Sequence, residues 1–179
     1  DRLAIEINEC KKMGIKVLPP DVNQSFHEFS IVPGKKITQI RFGLDAVKNV
    51  GSGAVEEIIE ARESKGLYTS IEDFLSRVDN TQINRKVWES LIRAGAFDRF
   101  ADRGCLLDSI DKIIATGSKV GRDKNSGQID LFSNTDNKGV KLSLDIPKKN
   151  TAYSDHDYLQ WEKELLGLYL SKHPLEDYE

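Results

Sequence analysis

The sequence predicts a mainly α fold: a helical domain of two tandem helix–turn–helix hairpins, preceded by a small N-terminal β-hairpin. Three observations predict it. Apolar residues recur at helical spacing from Leu44 to about Lys119, interrupted by capping and turn residues, as in a set of short packed helices. Two alternating runs rich in β-branched and aromatic residues, His27–Val32 and Ile37–Gly43, flank Pro33-Gly34 and read as the arms of a β-hairpin. A Gly-x-Gly turn, Gly51-Ser52-Gly53, opens one helix of the block, and a second helix–turn–helix without glycine follows.

Each element has its own reason. Leu3, Ile5 and Ile7 with Cys10 and Met13 suggest a short helix, stopped by Gly14 as a left-handed cap. Residues 15–23 are extended, because Pro19 and Pro20 force their predecessors out of the helical region. Leu44, Val47 and Val50 mark one face of a short helix; Val55, Ile58, Ile59 and Arg62 mark the next. Ser70 with Asp73 forms a capping pattern that opens Ile71–Val78. Asn84 is a good N-cap and Gly95 a good C-cap for the helix between them. Cys105–Gly117 supplies one more amphipathic helix, and residues 120–150 then lose periodicity and read as a linker. Ser154 with Asp157 caps a last helix, whose apolar side is Leu159, Leu165, Leu166 and Tyr169.

With 179 residues, 39% hydrophobic and 31% charged, the chain suits one domain with appendages or two small ones. A net charge of −3 gives no global attraction to nucleic acid, so any such site must be local. Cys10 and Cys105 belong to no CxxC pair and read as free thiols in a reducing cytosol. No apolar run approaches the roughly 20 residues that span a bilayer, so no membrane partner is expected. The chain opens in helical pattern without an initiator Met, as expected of a piece of a longer polypeptide.

The glycine turn carries the chemistry. Glycine permits positive φ and lets another backbone approach closely. The amides of Gly51, Gly53 and Ala54 are expected to point outward around Ser52, at the positive end of a helix dipole. Such a nest of donors is a phosphate site, and Lys48 adds a point charge. This is the helix-hairpin-helix pattern, which grips the backbone of double-stranded DNA without reading bases. In the second copy, Arg85 and Lys86 start the outgoing helix, within reach of further phosphates. The bland alternatives are a sharp turn that binds nothing and two solvated charges.

Other chemistry is weakly supported. Asp155-His156-Asp157 has metal-like spacing but opens a helix, where capping explains it. Residues 123–130 imitate a calcium loop, yet Gln128 stands where the loop's turn needs glycine. His27, His156 and His173 have no partners in view, and no phosphate-loop or nucleophile-elbow motif is present. No catalytic residue is assigned, and no cofactor is expected in this chain.

Four stretches resemble one family in order and spacing: "ECKKMGIKVLPPDVNQS", "IRFGLDAVKNVGSGAVEEIIEAR", "INRKVWESLIRAGAFD" and "EKELLGLYLSKHPLEDY". They are similar to the alpha subunits of bacterial DNA polymerase III, the C-family replicative polymerases, over nearly the whole chain. The resemblance implies that residues 1–40 end the fingers domain and 41–119 form the tandem duplex-binding block. Residues 120–150 would be a linker with a clamp-binding peptide, and 151–179 a helix leading to the next domain. The palm, with its carboxylates and Mg2+, would lie upstream. In this family a peptide of the form Gln-Leu-Asp/Ser-Leu-Phe docks the ring-shaped sliding clamp, the beta subunit. Gln128-Ile129-Asp130-Leu131-Phe132 matches it, with Ile129 as the one departure. Other replicase subunits and a cytoplasmic location are implied as well. Two rivals stand beside this reading. One is a helix-hairpin-helix glycosylase with Asp73 in the catalytic position, the other a non-catalytic interaction module.

Overall fold

A computed structural model describes residues 2–33, 39–125, 143–148 and 152–171, the side chains of 123–125 excepted. Its described part is mainly helical, with seven helices and one three-stranded sheet. Helix α1 (Arg2–Lys12) ends as the sequence predicts. Gly14 takes φ 75, and the Ile15 amide donates to Cys10 O at 2.8 Å. Only Ile7 of its apolar residues is buried, whereas Ile5 and Met13 face outward, against expectation. Strands β2 (Ser30–Val32) and β3 (Gln39–Arg41) form the antiparallel arms of the hairpin, with Ile31 opposite Ile40. The extended stretch at the two prolines contributes β1 (Val17–Leu18), which joins β3 in parallel, with Val17 opposite Ile40.

Residues 44–50 depart from expectation. They form two successive turns, not a helix: the Val47 amide donates to Leu44 O at 3.1 Å and the Val50 amide to Val47 O at 3.2 Å. A repeat of three buries Leu44, Val47 and Val50 on one side in either geometry, so spacing alone cannot tell them apart. Then come α2 (Ser52–Lys65), α3 (Ile71–Arg77) and α4 (Arg85–Arg93). The single helix expected at 105–117 is two, α5 (Arg103–Asp108) and α6 (Ile110–Asn125), separated at Ser109. Asp102 starts α5 early by accepting the Cys105 amide at 3.2 Å. Helix α6 also runs past Lys119, where the periodicity fades. Beyond it Leu144 is buried against the domain, its amide held by Glu72 at 3.1 Å. Helix α7 (Asp155–Leu166) carries the expected capping box of Ser154 and Asp157.

One core joins these elements. Phe74 lies 5.4 Å from Trp88, 5.0 Å from Phe97 and 4.8 Å from Tyr68 between ring centroids, tying α3 to α4. The predicted apolar face of α2 is buried, Arg62 included. Its guanidinium donates to Val22 O at 3.0 Å and Ser25 O at 2.8 Å, satisfying carbonyls of the loop between β1 and β2.

Candidate nucleic-acid interface

The glycine turn is built from Lys48 inward. Lys48 and Asn49 are exposed between buried Val47 and Val50. Asn49 takes φ 68, the left-handed conformation that reverses the chain. Gly51 follows in an extended conformation, φ −85 and ψ 155, as the N-cap of α2. Positive φ therefore falls on Asn49 and not on either glycine, which corrects the reason given for the glycines by sequence.

Their open surroundings supply a different reason. A Cβ at Gly51 would meet nothing within 4 Å, and one at Gly53 would meet only the Gln82 carboxamide at 3.4 Å. Neither glycine is demanded by its own fold. Both leave room for something to approach α2 closely.

The amides are partly as expected. Ala54 is buried, and its N–H donates to Gly51 O at 3.1 Å, so it faces into the helix rather than out. Ser52 and Gly53, both exposed, open the first turn, where helix geometry leaves amides without intrahelical acceptors. Among the described residues no side chain caps them. By contrast α3, α4, α5 and α7 are each closed by a side chain, from Ser70, Asn84, Asp102 and Ser154. The start of α2 is a bare, positively polarised helix end at the surface.

The second hairpin, α3 to α4, places its turn beside the first. Gln82 neighbours Gly53, and the Asp79 amide donates to Glu57 of α2 at 2.6 Å. Arg85 begins α4 but is not free: it pairs with Glu89 at 2.9 Å and with Asp111 of α6. Lys86 is exposed and has no ion pair among the described residues. Gln128, Ile129, Asp130, Leu131 and Phe132 lie outside the described residues. Sequence reasoning missed Asn49 and Gln82. Asn tolerates left-handed backbone and could have been singled out; the approach of Gln82 is tertiary and leaves no local signal.

Asp73 is engaged structurally: it accepts from the Thr69 amide at 2.9 Å and hydroxyl at 3.2 Å, and pairs with Arg77 at 3.2 Å. Among the described residues no group of three or more His, Cys, Asp or Glu could hold a metal ion. Asp157 closes its capping box, and the Ser154 amide and hydroxyl hold its carboxyl below the ordinary range. No described helix is long and apolar enough to cross a membrane.

Residues 14–106, just over half the chain, match the family described as helix-hairpin-helix motif. The chain belongs to that family. Helix-hairpin-helix geometry is what α2, α3 and α4 with their turns provide. Curated relatives extend the likeness beyond the helix-hairpin-helix block. The chain is 39% identical over 178 residues to DNA polymerase III subunit alpha of Campylobacter jejuni, covering 98% of this chain and 15% of that protein. It is 40% identical over 180 residues to DNA polymerase III subunit alpha of Mycobacterium leprae, covering 98% and 14%. With the protein of that name from Saccharopolyspora erythraea it shares 40% identity over 185 residues, covering 100% and 15%. The chain thus spans about one seventh of the length of the curated relatives it matches. The resemblance read from its motifs is borne out.

Proposed function

We propose that this chain is the duplex-binding and clamp-binding portion of a bacterial replicative DNA polymerase, whose parent adds deoxynucleotides to a primer 3′ end in the cytoplasm. The observation that carries the reading is the start of α2, an uncapped helix end where Gly51 faces open space and Gly53 only the end of the Gln82 side chain. Backbone phosphate is the chemistry that such an end takes, and primer–template DNA is the form in which a polymerase meets it. Lys48 and Lys86 supply point charges near the two turns. Arg85 would join only by leaving Glu89 and Asp111. Gln128–Phe132 would dock the beta clamp, with other replicase subunits as further partners. The parent's Mg2+ would be held in a palm domain upstream of this chain. The glycosylase reading loses its acid, because Asp73 is held by Thr69 and Arg77.

The test is a duplex titration of the 179-residue chain. Binding is expected to be sequence-independent, with a log–log salt slope of only a few units, since few phosphates are neutralised. The Gly51→Val, Gly53→Val variant should fold, because both sites have room, yet lose most of its affinity. Unchanged affinity in that folded variant, or a strong preference for one sequence, would sink the proposal.

A further inference from the structure

The residue that turns the chain into α2 is not a glycine, although glycine meets φ 68 with the least strain. Among the described residues only Asp145 is another non-glycine with positive φ. What Asn49 has and glycine lacks is a tether. Its side-chain Nδ2 donates to Ser90 Oγ at 3.3 Å, and Ser90 is buried on α4 of the second hairpin. One residue earlier, the Lys48 amide donates to Leu165 O of α7 at 3.0 Å. The turn is therefore held from two sides, by the second hairpin and by a helix outside the matched family region of 14–106.

We infer that Asn49 is a positioning residue for the phosphate site: its bond to Ser90 fixes the direction in which the Ser52 and Gly53 amides point. This rests on the duplex-binding reading of the same turn. Asn49 touches no phosphate in this role. It registers the first hairpin against the second, so that both turns face one stretch of backbone.

Two variants separate the tether from the backbone conformation. Asn49→Gly keeps the left-handed φ and removes the bond; Ser90→Ala removes the partner and leaves Asn49 in place. Order parameters of the Gly51, Ser52 and Gly53 amides are measured by 15N relaxation without DNA, and duplex affinity at fixed salt. Both variants should show lower order at these three amides. Both should bind roughly 2–12-fold more weakly, the scale of one side-chain hydrogen bond. The double variant should bind no more weakly than either single one, because the pair acts as a unit. A purely structural role would lower the melting temperature yet leave order and affinity of the folded variants unchanged; that result overturns the inference. Additive losses in the double variant overturn it too. If the wild-type chain itself binds no duplex, the duplex-binding reading fails and the positioning role falls with it. Wild-type affinity in Asn49→Gly, alongside lost affinity in the Gly51→Val, Gly53→Val variant, refutes the positioning role alone.

Discussion

Glycine serves opposite steric ends at Gly43, where the chain is crowded, and at Gly51, where it is open. At Gly43 a Cβ would lie 2.5 Å from the backbone of Glu28 and His27, so nothing larger fits. Gly43→Ala must push apart the strap in which Leu44 and Asp45 amides bond Phe26 O and His27 O. A loss of about 1–3 kcal/mol in urea unfolding is expected, as for other overpacked sites. At Gly51 there is open space, and a serine would cap α2 better than glycine does. Gly51→Ser should therefore stabilise the fold by a few tenths of a kcal/mol while weakening duplex binding. Wild-type binding by the stabilised variant would show that the bare cap has no functional purpose.

Between elements, the contact of α5 with α7 sets a pH dependence. Asp102 caps α5 and accepts the Tyr158 hydroxyl at 2.7 Å. Burial pushes its carboxyl up, but the bonds from Tyr158 and the backbone amides of Cys105 and Gly104 outweigh it and hold the group below its ordinary range. Burial and the bond to Asp102 push Tyr158 up to about 12. A depressed carboxylate contributes stability that is present above its unfolded pKa and lost as pH falls through the folded value. The raised phenol contributes stability below its unfolded pKa, lost as pH rises toward 12. Asp102→Ala should thus cost about 0.5–2 kcal/mol near neutral pH. In urea midpoints the gap from wild type should shrink below about pH 4, where the unfolded carboxyl protonates. A gap that stays constant down to pH 2, roughly two units below that ordinary carboxylate value, would assign it to packing instead.

The caps at Ser70, Asn84 and Ser154 were legible in the sequence because capping is local chemistry, settled within four residues. So were both hairpin arms and the glycine turn. The turns at 44–50 were not, since a repeat of three serves turn and helix alike. Nor was the parallel pairing of β1 with β3, which depends on a partner far along the chain. Buried charges were the hardest. Arg103 and Glu162 carry no local signal of burial, yet both are buried, 3.4 Å apart, and Glu162 also accepts the Leu170 and Ser171 amides. At the candidate site the glycines were visible and their surroundings were not.

For the whole molecule, the reading of 128–132 makes a clean separation of stability from partnership. Burying a leucine and a phenylalanine in a clamp pocket is worth roughly 1.5–3 kcal/mol each before ordering costs. The Leu131→Ala, Phe132→Ala variant should lose clamp binding in a pull-down or titration while melting as the wild type does. Melting several degrees lower with clamp binding intact would place those side chains in the core. In a primer-extension assay the chain alone should add no nucleotide, with or without Mg2+. Extension by the purified chain would overturn the assignment of catalysis to the rest of the parent.

Arg62 has a mechanical consequence. Its guanidinium grips the loop at Val22 and Ser25, the Asn23 side chain exchanges two hydrogen bonds with the Tyr68 backbone, and the Val22 amide reaches Ala96 O. The seam between the sheet and the hairpins is thus stitched where a hinge would otherwise form. A protease should find no cut there until the whole unit unfolds. A force applied to the outer face of the sheet would pass through these bonds into α2 and the hairpins behind it.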